Sequence, residues 1–264
     1  MANGDETDPD RSGQRTHHGR GAAARRVAVR HVDRFWTSDW SLTTLLVLLV
    51  VIIFFVHPFK GLGYDATLIG GVVFTFILVS GIISIGSRAP ITASCFAAVA
   101  VVSASVHWAR IIVFGPPWLG KDAIASFVAC GMLATIVLWQ VFREGPITSL
   151  RIQGALAAYL LVGLMFSTLY AWIDLNVPNA FSGPAPISEL TDNPLGRFVY
   201  FSFVTLTTVG YGDISPLAPE ARSMAMLEAL IGQIFPAILL ARLVSLELYY
   251  RQQRRAGSGG DSGP

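Results

Sequence analysis

Long apolar runs are the feature that most restricts how this chain can fold. A helix needs roughly 20 mainly apolar residues to cross a bilayer, and the sequence contains a series of runs of about that length. They lie at residues 41–57, 66–86, 90–114, 123–142, 152–173 and 221–247. Because hydrocarbon offers no water to backbone polar groups, such runs fold as helices. The sequence therefore predicts an all-α membrane protein with six transmembrane helices.

Composition excludes several classes of function. Hydrophobic residues make up 53% of the chain and charged residues 14%, and the formal net charge is only +2. This balance is too apolar for a soluble domain of this size, and it provides no basic surface for nucleic acid. The histidines and cysteines form no metal-binding motif and no nucleophile motif. We therefore predict neither an enzyme nor a cofactor.

The distribution of Lys and Arg predicts the orientation of the chain. Most of the 19 basic residues lie on one side of the membrane if the N-terminus is cytoplasmic. We therefore expect a multi-pass protein of the cell membrane with both termini cytoplasmic. In the basic segment 1–40, Arg26, Arg30 and Arg34 recur every four residues, which suggests contact with anionic lipid. The alternative is that these arginines only fix the topology.

The segment between the last two runs has a different character. After Asp174, a loop rich in Pro, Gly and Ser leads into the apolar stretch Pro194 to Leu206, which is too short to cross a bilayer. Asn193 and Pro194 form a favourable helix start, an N-cap followed by proline at the first helical position. We predict a re-entrant pore helix that enters from the outer side.

Residues Thr207 to Asp213 read Thr-Thr-Val-Gly-Tyr-Gly-Asp. A potassium ion leaves water only where other oxygens replace its hydration shell, and backbone carbonyls can do this. Glycine at alternate positions, Gly210 and Gly212, permits positive φ, so that consecutive carbonyls can face one axis. One chain supplies a single carbonyl per level, which cannot surround an ion. Four chains around an axis are the economical solution, and we predict a homotetramer.

This stretch is similar to the selectivity filter of tetrameric potassium channels. The resemblance covers residues 151–247 and is to bacterial two-helix-type channel domains. It implies that K+ is the transported ion, and it assigns both the filter and the ion sites. The filter residues are Thr208, Val209, Gly210, Tyr211, Gly212 and Asp213, and the K+ sites are at Thr208, Val209, Gly210 and Tyr211.

The same resemblance assigns residues that support the filter. Thr207 and Tyr200 take supporting positions, and a hydrogen bond from Tyr200 to Asp213 is implied. The alternative is that Tyr200 only packs in the core. Val204 stands where some bacterial members carry a glutamate behind the filter, which puts in doubt any filter inactivation that depends on that carboxylate.

The last run contains residues that are unusual inside a membrane helix. Gly232 lies where the family's inner helix carries its hinge glycine, and Pro236 follows one turn later. Glycine weakens a helix and proline removes a backbone hydrogen bond, so the pair predicts a gating hinge. The alternative for Gly232 is close packing. Glu228 is a costly intramembrane acid, which either hydrogen-bonds the pore helix or titrates as a modulator.

The first four runs resemble a voltage sensor in number only. A sensor needs several arginines spaced by three, whereas residues 123–142 contain no Arg or Lys. Arg110 is single and near the outer end of its run, where its side chain can snorkel to the interface. We predict that residues 41–142 form a four-helix domain without gating charges, and that the protein is not steeply voltage-gated.

These features predict a division of the chain and a function. The basic segment 1–40 precedes the four-helix domain 41–142, the pore domain occupies 151–247, and residues 248–264 form a short cytoplasmic tail. The predicted function is passive K+ conduction through a fourfold pore. The alternatives are a nonselective cation channel and a nonconducting membrane sensor or regulatory subunit. A potassium transporter is disfavoured because it would need four pore loops in one chain or the equivalent.

Overall fold

The computed structural model describes residues 42–56, 66–86, 90–142, 149–183 and 194–258. Helix α1 covers residues 42–51 and passes into a π-helical turn at Ile52–Val56. Six more helices and two very short strands follow. They are α2 (Ala66–Gly86), α3 (Pro90–Ala109), α4 (Leu119–Phe142), α5 (Ser149–Asn176), β1 (Phe181–Ser182), α6 (Pro194–Leu206), β2 (Ser215–Pro216) and α7 (Pro219–Ser258).

Five of the described helical segments are long and apolar enough to cross a membrane. They are Thr67–Gly86, Ile91–Phe114, Pro116–Phe142, Leu150–Asn176 and Pro219–Arg242. This confirms the predicted all-α membrane protein. The first apolar helix, Leu42–Phe55, is shorter than these five, and the chain around it at residue 41 and at 57–65 lies outside the described residues. The six-helix topology therefore stays a prediction.

Two hydrophobic cores hold the helices together, and α5 belongs to both. The first core extends from α1 to α5 and includes Val199 of α6, and its other buried members include Leu49, Phe96 and Leu133. The second core joins α5 to α6, α7 and the two strands, around Tyr170 and Phe198. Burial of large apolar side chains at such contacts is the main source of packing energy in each core. Helix α5 thus contributes buried residues to both cores, although Val199 of α6 also belongs to the first core and Leu119 of α4 to the second.

Small residues let α5 approach its neighbours closely. A Cβ added at Gly131 of α4 would lie 3.0 Å from the sulfur of Met165. On the other side of α5, a Cβ added at Gly163 would lie 2.6 Å from the ring of Phe203 in α6. Glycine at these contacts allows helix backbones to come together, as is common in membrane helix packing.

Several helix boundaries differ from those expected. Gly115 has φ +62° and ends the π-helical turn Arg110–Phe114, so the fourth span begins with a proline-led turn and α4 starts at Leu119, earlier than residue 123. Helix α7 continues to Ser258, so most of the predicted tail after residue 247 is helical up to that point. The basic segment 1–40, with its proposed lipid contacts at Arg26, Arg30 and Arg34, lies outside the described residues.

Arg110 does not snorkel to the interface as expected. Its Nε lies 2.7 Å from Oδ2 of Asp122, in the first turn of α4, and His107 Nδ1 lies 2.9 Å from Oδ1 of the same carboxylate. The side chains of Arg110 and Asp122 are only 12% and 2% exposed. A buried guanidinium is stable where a carboxylate compensates its charge, and Asp122 provides this compensation.

Candidate selectivity filter and inner helix

The predicted filter begins as a direct continuation of helix α6. The amide groups of Thr207 and of the first three filter residues donate hydrogen bonds back to carbonyls in the last turns of that helix, at 2.9 to 3.3 Å. The pairs are Thr207 to Phe203, Thr208 to Thr205, and both Val209 and Gly210 to Val204. In addition, the Thr207 hydroxyl donates to the Phe203 carbonyl at 2.6 Å. Helix α6 therefore holds the start of the filter through the backbone amides of these residues. Their own carbonyl oxygens are left available for other contacts.

The backbone of the filter alternates between two conformations. Thr208, Gly210 and Gly212 have φ values of +59°, +56° and +80°, whereas Val209 and Tyr211 between them do not have positive φ. Positive φ costs a glycine little, but a threonine pays about 1 to 2 kcal/mol for it. Such a cost is typical of a functional backbone that the surrounding structure holds in place. This alternation is the geometry that the filter sequence was expected to adopt.

One side of the filter is not covered by its own chain. Val209 is 53% exposed and Tyr211 is 72% exposed. A Cβ added at Gly210 or Gly212 would meet nothing within 4 Å in the described structure. By contrast, the next apolar residue, Ile214, is buried. The filter therefore ends where the chain returns to its own core.

A two-stranded ladder supports the outer end of the filter. Phe181 pairs with Pro216 and Ser182 pairs with Ser215, in antiparallel register. The next residue, Gly183, has φ +112°, and a Cβ added there would lie 2.7 Å from the carbonyl oxygen of Asp213. Only glycine fits this approach. Gly183 could not be identified from the sequence, because a glycine in a loop rich in Pro and Ser gives no sign of its partner.

Tyr200 lies beside the residues that it was expected to support. Its ring is parallel to that of Tyr211, with an interplanar angle of 3° and 6.4 Å between centroids. Tyr200 therefore lies beside the filter. The hydrogen bond from its hydroxyl to Asp213 that the resemblance implies stays a prediction.

Gly232 is a close-packing residue in this structure. A Cβ added there would lie 1.9 Å from the carbonyl oxygen of Leu206, at the end of α6, so no other residue fits without a backbone shift. That oxygen also accepts a hydrogen bond from the Tyr159 hydroxyl at 3.1 Å. Pro236 lies within α7 and cannot donate to the carbonyl four residues earlier, which is that of Gly232 itself. The hinge stays a prediction, and Pro236 carries it better than Gly232.

Glu228 is fully buried among three helices. The hydroxyl of Tyr170 in α5 donates to its Oε2 at 2.6 Å, and the hydroxyl of Ser202 in α6 lies 2.5 Å from its Oε1. Of the two roles that the sequence left open for this acid, the structure shows the hydrogen bond to the pore helix.

Comparison with known proteins identifies a family model and several relatives that match this region. A family model described as "Ion channel" matches residues 155–247. The chain is similar to Two pore potassium channel c of Oryza sativa subsp. japonica, with 39% identity over 93 residues, which are 35% of this chain and 18% of that protein. It is also similar to the potassium voltage-gated channel protein shk-1 of Caenorhabditis elegans, with 36% identity over 74 residues, 28% of this chain and 13% of that protein.

Residues 155–247 form an ion channel domain, and the two relatives above are named as potassium channels. This channel domain begins in α5 and ends in α7, so it contains α6 and the filter. A further similarity, to Protein LctB of Bacillus caldotenax, has 38% identity over 88 residues, 33% of this chain and 64% of that protein. The chain spans less than two thirds of each of these relatives. No solved structure matches. An ion channel domain in a multi-pass membrane protein supports transport over catalysis.

Proposed function

We propose that this protein is a subunit of a potassium-selective channel that conducts K+ passively. The observation that carries the proposal is the alternating backbone at Thr208, Gly210 and Gly212 within a Thr-Val-Gly-Tyr-Gly sequence. The carbonyls of Thr208, Val209, Gly210 and Tyr211 replace the hydration shell of the ion. In this proposal K+ is the transported ion, and no cofactor takes part.

The proposed channel is a homotetramer. One chain offers one carbonyl at each level, and the exposed side of the filter provides room for other copies. Helix α7 supports the same assembly, because only 11% of its apolar membrane-spanning stretch is buried within the chain. Its exposed apolar side chains include Leu230, Ile234 and Ile238. Four copies around one axis would cover part of this surface and complete the ion sites.

The proposed channel is not steeply voltage-gated. Moving one charge through 100 mV changes its energy by about 2.3 kcal/mol, so steep gating requires several mobile charges. Residues 123–142 of α4 carry no Arg or Lys. Arg110 is already neutralised by Asp122 inside the protein, which makes it a poor gating charge. We place the protein in the cell membrane with both termini cytoplasmic, and anionic lipid is its proposed partner at the basic N-terminal segment.

The proposal is tested by the reversal potential of purified protein in a planar bilayer with K+ on one side and Na+ on the other. For a K+-selective pore, each tenfold K+ gradient shifts the reversal potential by about 60 mV, since a tenfold ratio is about 1.4 kcal/mol and 100 mV is about 2.3 kcal/mol per charge. A reversal potential near zero with equal K+ and Na+ activities on opposite sides would identify a nonselective cation channel. Absence of current from assembled protein would identify a nonconducting subunit.

A matched pair of variants separates the filter from general effects of mutation. Gly210→Ala forces a side chain onto a residue with φ +56°, which costs about 1 to 2 kcal/mol per chain, so we expect loss of K+ selectivity or current. Gly120→Ala adds the same methyl group in α4, where nothing lies within 4 Å. We expect this control to conduct like the wild type. Equal behaviour of the two variants would argue against conduction through this filter.

A further inference from the structure

Glu228 links helices α5, α6 and α7. It lies on α7, and its two carboxyl oxygens contact Tyr170 of α5 and Ser202 of α6. Its exposure is 0%, so no water competes for these bonds at the surface. The Ser202 hydroxyl has a second neighbour, the Gly163 carbonyl of α5, at 2.7 Å. The carboxyl group of Glu228, the hydroxyls of Tyr170 and Ser202, and the Gly163 carbonyl therefore form one hydrogen-bond network across three helices.

The number of protons decides the charge of this acid. Ser202 has a single hydroxyl proton, but two oxygens lie within bonding distance of it: the Gly163 carbonyl and Oε1 of Glu228. A carbonyl can only accept. If Ser202 donates to Gly163, its contact with Glu228 is a hydrogen bond only when the acid carries a proton and donates it. All three short contacts are separate two-centre hydrogen bonds, with no proton shared between two acceptors, only if Glu228 is a neutral carboxylic acid.

The surroundings give an ionised carboxylate no compensation. Among the ion pairs of the described residues, none involves Glu228. The ionisable groups that face it are the hydroxyls of Tyr170 and Tyr159 on α5, which are neutral donors. From α6, the facing group is the Ser202 hydroxyl. An unpaired buried charge is costly, whereas a hydrogen-bonded neutral acid is not.

We propose that Glu228 is kept as a neutral carboxylic acid and acts as a positioning residue that ties α7 to the pore helix. The acid donates to Ser202, Ser202 donates to Gly163, and Tyr170 donates to the acid. Loss of the proton removes one donor and leaves a buried charge, which separates α7 from α6. The electrical readout of this proposal rests on the proposed function, but the protonation state does not.

The protonation state is measured by infrared spectroscopy of the purified protein at neutral pH. We expect a carbonyl band of a protonated carboxylic acid that is present in the wild type and absent in Glu228→Gln. The matched control is Glu220→Gln, an exposed glutamate on the same helix, which retains the band. If Glu228→Gln does not fold, Ser202→Ala provides the test, because loss of the acceptor shifts the frequency of the acid band. A wild type without such a band, or a Ser202→Ala variant without a shift, would overturn the proposal.

Currents test the positioning role. The amide of Gln donates and accepts like a neutral acid but cannot lose a proton at the pH values used. We therefore expect alkaline solution to lower the open probability of the wild type by about tenfold over the pH range where the acid band disappears. An ordinary hydrogen bond contributes up to about 1.5 kcal/mol, which corresponds to about a tenfold change in the ratio of open to closed channels. Glu228→Gln should change by less than about twofold. The same alkaline loss in both proteins would overturn the positioning role. A protein with the band but without K+ current would instead refute the proposed function alone.

Discussion

Replacement of Gly232 by alanine separates two explanations of this residue by the sign of the effect. A flexible hinge glycine is conformationally costly, so alanine would stabilise helix α7 by roughly 0.5 to 1 kcal/mol. In the structure, however, the added Cβ would lie 1.9 Å from the Leu206 carbonyl oxygen, which is backbone and cannot rotate away. Inserting a carbon into a packed core typically costs about 1 to 3 kcal/mol. Subtraction of the two ranges leaves a net destabilisation of up to about 2.5 kcal/mol per chain, with a central value of about 1 kcal/mol.

The assay is thermal unfolding of the purified protein in detergent. The quantity measured at each temperature is the fraction of protein that remains folded and assembled. Gly120→Ala is the control, because it adds a methyl group to α4 in open space and should be neutral or slightly stabilising. We expect Gly232→Ala to unfold at a lower temperature than both the wild type and the control. If Gly232→Ala were as stable as Gly120→Ala, the contact with Leu206 would not limit this position and the packing argument would be refuted.

Three further predictions follow from contacts described above. Asp122→Ala leaves Arg110 buried without its partner and should cost about 3 to 5 kcal/mol in the free energy of unfolding; an unchanged unfolding temperature would show that the pair is not buried in the membrane. Pro236→Ala returns a donor to the Gly232 carbonyl and should lower the open probability in single-channel records, while equal open probability would exclude a proline hinge. Tyr200→Phe removes the hydroxyl beside Asp213 and should shorten filter openings, and unchanged open times would assign Tyr200 to packing.

Local signals predicted the pore helix well. An apolar stretch too short to span a bilayer, with Asn193-Pro194 before it, indicated a helix from Pro194 to Leu206, and α6 has these bounds. The positive φ of Gly210 and Gly212 was also predictable, because glycine adopts this conformation at little cost, whereas the positive φ of Thr208 was not. These features depend on residues that are close in sequence.

Contacts between distant residues were not predictable. Glu228 was recognised as unusual, but Tyr170 is 58 residues away and nothing in its local sequence identifies it as a partner. Arg110 was assigned to the interface because a long basic side chain near a helix end usually reaches water. Its pairing with Asp122 depends on the turn at Gly115, which brings the start of α4 back against the end of α3. Sequence patterns give the type of helix, whereas tertiary contacts decide which polar groups meet.

The position of α5 has a mechanical consequence. Gly131 of α4 lies against Met165, and Gly163 of α5 lies against Phe203 of the pore helix. We therefore expect a tilt of α4 to displace α5 and the pore helix through these contacts. Closely packed interiors are stiff and pass on displacement with little loss. A change in bilayer thickness or lateral pressure could therefore reach the conduction path by steric contact, and no charge would have to move across the membrane.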